Sequence, residues 1–196
     1  MKLSQQEIIY KLNDLIDKEI FKDSVILSVN ERSLFLSREI GLKNGLIEGD
    51  ILFIEPIFSP INKETIIGNI SELKEMIIIE EFKNSFDITD DYIYNEANRI
   101  YEEKIISKMH KFRTGESIIS IENKNVLLID LGINTGLTML NAIKSCINAK
   151  VFKINVATAF ISKEAAEKLE NIVDNLFYIQ KIEDYVNTEF YIKENE

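Results

Sequence analysis

The chain has 196 residues, 45% hydrophobic and 29% charged, with 2 Pro and 7 Gly; this is the composition of a folded domain with a sizeable core and little room for a low-complexity linker. Its net charge of −10 opposes binding along a nucleic-acid backbone, yet it leaves room for a small phosphorylated ligand, because a ring of backbone N–H groups holds an anion inside an acidic protein. One cysteine, Cys146, and one histidine, His110, exclude an intrachain disulfide and any thiolate or His-rich metal cluster.

Residues 1–10 are polar and lack the apolar stretch of a signal peptide. The apolar runs at 76–79 and 126–129 are strand-length and too short to span a bilayer. A cytoplasmic protein with neither nucleic-acid nor membrane partners is expected. Ser4-Gln5-Gln6-Glu7 is a capping box, and Ile8, Ile9, Leu12, Leu15 and Ile16 behind it recur at helical spacing. Residues 25–29 read as a short buried strand, 30–33 as a polar turn and 34–42 as a helix running toward Gly45. A second buried strand over 51–54 is ended by Pro56 and Pro60.

Residues 65–70 and 76–79 read as a hairpin joined by the charged turn 71–75. Capping residues at 87–91 precede a long helix marked by Ile93, Ala97, Ile100, Tyr101, Ile105 and Met109. Its high charge predicts that it projects from the main body. Lys104, Lys108, Lys111 and Arg113 read as its solvated face, with His110 in a capping or solvated role near its end. Further on come a strand over 126–129, a helix carrying Met139, Leu140, Ile143 and Ile147, and a strand over 151–157. Then Ser162 caps a helix on Ala166, Leu169 and Val173, and a last strand covers 176–179. Cys146 fits a buried, inert helix position. Strands alternating with helices at this spacing predict an α/β fold: a mostly parallel central sheet with helices on both faces, plus an added charged helix and a small β-hairpin. The whole chain, 1–196, reads as one domain, with 61–115 as an insertion or hood. Ligands on such sheets bind at the carboxyl ends of the strands.

One segment carries recognisable chemistry. After the strand come Asp130, Leu131, Gly132, Ile133, Asn134, Thr135, Gly136, Leu137 and Thr138, leading into a helix. Gly132 and Gly136 permit backbone conformations closed to other residues and let consecutive N–H groups turn inward. The helix adds its unsatisfied N–H groups and positive dipole end, and Thr135 and Thr138 add hydroxyls, which together make an anion site. With no lysine it is not a P-loop, and it lacks the three-glycine spacing of a dinucleotide site. Asp130, at the strand's end, is placed to accept hydrogen bonds from sugar hydroxyls or to bind a metal through water. A tight strand-to-helix turn with a Thr cap accounts for the same pattern, and spacing alone does not separate the two.

The segment resembles the motif of type I phosphoribosyltransferases that binds 5-phosphoribosyl pyrophosphate (PRPP): four apolar residues, two acidic residues and a loop ending Thr-Gly-x-Thr. Asp130 matches the first acidic position; Gly132, Thr135, Gly136 and Thr138 match the phosphate loop. Residues 139–149 and 151–161 are similar to the family's next helix and strand, although Val156-Ala157-Thr158-Ala159 lacks the usual proline. Val173-Asp174-Asn175-Leu176 resembles a further strand start. The long charged helix over 92–113 and the tail containing Tyr185 and Glu189-Phe190-Tyr191 are similar to features of one bacterial branch. The resemblance implies a 5-phosphoribosyl ligand, PRPP or a nucleoside monophosphate, with Mg²⁺ accompanying PRPP. It also implies a pyrophosphate side formed by Asn30, Arg32 and Ser33. A homodimer is compatible with the fold.

The chain departs from the family in three places. Leu131 stands where the second carboxylate would hold ribose hydroxyls. The loop after the first strand, Val29-Asn30-Glu31-Arg32-Ser33, has no glycine, and Glu31 would repel pyrophosphate. Lys83 sits close to Glu80 and Glu81, which offset its charge, so no catalytic residue is nominated. Two functions follow: a divergent phosphoribosyltransferase, or a non-catalytic nucleotide- or PRPP-sensing or interaction protein on the same fold. The aromatic tail reads as ordinary packing, with stacking on a base as the alternative.

Overall fold

The computed structural model describes residues 2–46 and 50–193. In chain order its strands are β1 (Ser24–Ser28), β2 (Asp50–Ile51), β3 (Ile54–Phe58), β4 (Ile66–Ser71), β5 (Met76–Ile78), β6 (Asn125–Ile133), β7 (Lys153–Ser162) and β8 (Asn175–Ile182). Its α-helices are α1 (Gln5–Leu15), α2 (Leu34–Lys43), α3 (Glu80–Ser85), α4 (Asp90–Ile100), α5 (Ile106–Arg113), α6 (Leu137–Asn148) and α7 (Lys163–Leu169). The main sheet runs β2-β1-β6-β7-β8, parallel throughout, and a second sheet runs β3-β4-β5, antiparallel.

Alternation along β6 explains why both faces of the main sheet are covered. Val126 and Leu128 enter one core with Met139, Ile143 and Cys146 of α6 and Ala166 and Leu169 of α7. Leu127, Ile129 and Leu131 enter the other, with Ile8 and Leu12 of α1 and Leu36 and Ile40 of α2. The α/β architecture is as expected, and the capping box at Ser4 is present: its Oγ accepts from Glu7 N, and Glu7 Oε2 accepts from Ser4 N at 2.7 Å. Burial pushes the Cys146 thiol up to about 12, so it is a packing group with little nucleophilic character.

Where the structure departs from the sequence reading, tertiary packing decides. Residues 51–54 are not one strand. Asp50–Ile51 joins the main sheet, then Leu52 and Phe53 carry the chain across to β3, both buried. Leu52 N donates to Ser28 O (2.8 Å); Phe53 N donates to Glu72 Oε2 (3.1 Å), and Phe53 O accepts from Glu72 N (2.9 Å). Pro56 lies inside β3, which tolerates it as the edge strand of its sheet. The hairpin β4–β5 forms as expected.

The charged helix does not project. Segments α4 and α5, joined by a π-helical turn at Tyr101–Ile105, bury Ile93, Ala97, Ile100 and Ile105 against Ile57, Ile67 and Ile70 of the second sheet. Nor is its basic cluster simply a solvated face. Lys108 pairs with Glu55 (2.5 Å) and Glu31 (2.9 Å), and Arg113 with Glu72 (2.6 Å) and Asp50 (3.4 Å). The second sheet docks on α6 through buried polar groups: Asn141 Nδ2 donates to Asn69 Oδ1 (2.6 Å), and Ser145 Oγ donates to Ser71 Oγ (2.8 Å). The Ser162 cap is present, but α7 ends at Leu169, short of Val173. No described helix is long and apolar enough to cross a membrane.

Candidate functional site

Strand β6 runs to Ile133, four residues past the expected end at 129, so Asp130 lies within the strand. Continued alternation then fixes its neighbours. Leu131 packs in the α1/α2 core and also borders the cleft described below. Asp130 is itself buried. Its Oδ1 accepts from Asn30 Nδ2 (2.7 Å), Leu131 N (2.7 Å) and Gly132 N (3.5 Å). Among the described residues no protein donor reaches Oδ2. Burial pushes this carboxyl up to about 6, against the Asn30, Leu131 and Gly132 hydrogen bonds that favour its ionised form.

Asn134 and Thr135 make the turn into α6. Gly136 adopts φ +79, a left-handed conformation that glycine supplies without strain. Ser162 Oγ donates to Asn134 O (2.5 Å) and accepts from Ala165 N (3.0 Å), so one hydroxyl fixes this turn and also caps α7. Gly136 has no side chain to cap α6; Thr135 Oγ1 accepts from Leu137 N (3.4 Å), and the N–H groups of Thr138 and Met139 in the first turn have no side-chain acceptor among the described residues. The expected role of Gly132 is corrected. Its φ is not positive; a Cβ there would sit 2.3 Å from the Tyr185 hydroxyl and 2.5 Å from Thr188 Oγ1. Glycine is needed at 132 for close approach of the C-terminal segment, not for turning the loop.

These parts line one cleft of about 270 Å³. It contains Asp130, Gly132, Ile133, Asn134, Thr135, Gly136, Leu137 and Thr138, together with Asn30 and Arg32 from the loop after β1. Ser33 is not among them. It is buried beneath its own turn, with N and Oγ both donating to Asn30 Oδ1 at 3.0 Å. Glu31 is neutralised by Lys108 and Lys111. The described peptide bonds are all trans. The cleft also contains Thr188 and Glu189, which the sequence reading did not nominate. Glu189 pairs with Arg32, the one cation among the described lining residues. The tail's aromatics stood out in the sequence, but the placement of Thr188 and Glu189 at the cleft follows from how Tyr185 and Tyr191 pack, which no local pattern displays. Phe190 is exposed and Tyr191 buried against Phe160, so the tail's aromatics pack chiefly on one another.

Among the described residues, no group of three His, Cys, Asp or Glu side chains is arranged to hold a metal ion. The carboxylates that line the cleft, Asp130 and Glu189, do not by themselves make such a site.

No family model matches the sequence, and no curated protein does. Solved structures do match. TT1426 from Thermus thermophilus superposes with a TM-score of 0.77 at 19% identity, over 98% of this chain and 90% of that one. A purine phosphoribosyltransferase from Pyrococcus horikoshii gives 0.52 at 13% identity, over 94% and 89%. A Neisseria gonorrhoeae protein with bound ppGpp gives 0.52 at 13%, over 94% and 84%. With a five-stranded parallel sheet, a small antiparallel sheet beside it and a cleft at the carboxyl end of β6, the chain has the type I phosphoribosyltransferase fold.

Proposed function

We propose that the protein binds a 5-phosphoribosyl ligand, with the 5′-phosphate on Asn134, Thr135, Gly136, Leu137 and Thr138 and the ribose hydroxyls on Asp130. The observation that carries this reading is the meeting of two complementary parts in one cleft: a helix N-terminus behind a left-handed glycine, with the Thr138 and Met139 N–H groups lacking side-chain acceptors, and a buried carboxylate with one oxygen free of protein donors. The first suits a dianion and the second a hydroxyl donor. A phosphate and a vicinal diol on one small molecule describe a ribose phosphate. The Neisseria gonorrhoeae neighbour with bound ppGpp supports a phosphorylated nucleotide ligand on this fold. Mg²⁺ would arrive on the pyrophosphate of PRPP, neutralising charge there.

Calorimetry with ribose 5-phosphate, AMP, GMP and PRPP with Mg²⁺ tests the reading. Binding is expected to fall at least tenfold in Gly136→Val, where a β-branched side chain is forced to positive φ, and to weaken in Thr135→Ala. Binding equal to wild type in both variants removes the cradle from the account. Transfer of the phosphoribosyl group is the second reading, favoured by the fold. It calls on Mg²⁺ and basic groups to neutralise the leaving pyrophosphate, and Arg32, the cation among the described lining residues, is paired with Glu189. Pyrophosphate release from PRPP across a panel of bases separates a transferase from a binding or sensing protein.

A further inference from the structure

Arg32 and Glu189 face one another across the mouth of the cleft, and each is positioned by structure that does not depend on their pairing. Arg32 sits in the short turn Glu31–Ser33, which the Asn30 side chain caps. Glu189 sits in a second short turn, Thr188–Tyr191, where Asn187 Oδ1 accepts from Phe190 N at 2.8 Å. That turn is anchored through Tyr191, which is buried against Phe160 and Tyr185. The Tyr191 hydroxyl accepts from Val186 N (3.0 Å) and donates to Asp184 O (3.2 Å), and its carbonyl accepts from Leu3 N (2.9 Å). The Arg32–Glu189 pair itself is well exposed, and such pairs add little to stability. Its effect therefore falls on what enters the cleft.

We propose that Glu189 is a specificity-determining residue: by neutralising Arg32 and presenting its own carboxylate, it disfavours ligands with a second anionic group and selects ribose or nucleoside 5′-monophosphates over PRPP. This rests on the reading that residues 134–138 hold the 5′-phosphate. A monophosphate with a neutral group at the anomeric carbon leaves the pair intact. A pyrophosphate reaching toward Arg32 must separate the pair and lie beside the Glu189 carboxylate, where like charges repel.

The test is calorimetry of ribose 5-phosphate, PRPP with Mg²⁺, and inorganic pyrophosphate on the wild type, Glu189→Gln, Glu189→Ala and the double variant Arg32→Gln/Glu189→Gln. In Glu189→Gln and Glu189→Ala the ratio of PRPP affinity to ribose 5-phosphate affinity is expected to rise roughly three- to tenfold. Pyrophosphate alone should bind more tightly, and the double variant should lose both gains. An unchanged ratio together with unchanged pyrophosphate binding overturns the role of Glu189. Ribose 5-phosphate that binds none of the four proteins instead overturns the cradle reading, and the pyrophosphate arm still reports on Glu189.

Discussion

Asn30 Nδ2 donates to Asp130 Oδ1 at 2.7 Å, joining the loop after β1 to the interior of β6 across 100 residues of sequence. The same side chain, through its Oδ1, holds Ser33 N and Oγ at 3.0 Å. Asn30→Ala therefore loosens the turn carrying Arg32 and withdraws one donor from a buried carboxylate. Urea denaturation at neutral pH is expected to show a loss of about 1–3 kcal/mol. Ribose 5-phosphate binding should weaken about tenfold as Asp130 becomes harder to ionise.

The Asp130 carboxyl sets a pH dependence with a definite sign. In the unfolded chain an aspartate releases its proton near 3.9, whereas in the folded protein burial pushes Asp130 up to about 6. Between those values the folded state holds more protons, so this residue's contribution to stability falls as pH rises from about 4 to about 6 and is level above that. Asp130→Asn should remove the slope and stabilise the free protein by roughly 2–3 kcal/mol at pH 7. Ligand affinity should move the opposite way. An ionised Asp130 accepts ribose hydroxyls better, so wild-type affinity rises through pH 6 more steeply than that of Asp130→Asn. Comparing the two proteins cancels the second ionisation of the phosphate, which also lies near 6.

Gly132 is fixed by the C-terminal segment. A Cβ there meets Tyr185 Oη and Thr188 Oγ1 at sub-contact distances, so Gly132→Ala is expected to cost about 1–3 kcal/mol by overpacking. The triple variant with Tyr185→Phe and Thr188→Ala should recover most of that loss in thermal denaturation, because it removes the atoms that collide. Failure to recover would mean that the glycine serves the strand itself.

Arg113 closes the junction between the two sheets. It pairs with Glu72, whose side chain is 2% exposed, and with Asp50. Burial raises the Glu72 carboxyl above its ordinary value, and the guanidinium opposes that rise. Arg113→Ala leaves this carboxyl buried without its cation and should destabilise by about 3–5 kcal/mol in urea denaturation. The double variant Glu72→Gln/Arg113→Met should lose less than Arg113→Ala alone.

Much of this architecture is written locally. The capping box at Ser4, the apolar run of β6 and the Ser162 cap depend on neighbours within a few residues, and each is found where periodicity and capping rules place it. The parts that escape local reading depend on remote partners. Leu52 and Phe53 form a crossing because Ser28 and Glu72 wait on either side. The charged helix lies flat because its Ile93–Ala97–Ile100 face finds the second sheet, a surface that sequence alone does not display. Within the cleft, the turn at Gly136 and the helix that follows it are legible from spacing. The pairing of Arg32 with Glu189 joins residues 157 apart and is set by how Tyr191 packs.

The handover at Leu52 and Phe53 also has a mechanical meaning. The two sheets are joined there by three hydrogen bonds to the backbone of two buried residues, two from backbone groups and one from the Glu72 carboxylate. The return path over residues 114–124 is mostly exposed and includes left-handed residues at Thr114, Gly115 and Asn123. That segment is tied down only at intervals, by Ile119 N donating to Asp50 Oδ2 (3.2 Å), Asn123 N to Lys150 O (2.9 Å) and the buried Ile121, so it is expected to yield before the crossing does. Amide exchange should be fast at Ser117, Ser120 and Glu122, whose N–H groups have no partner among the described residues, and slow at Leu52 and Phe53.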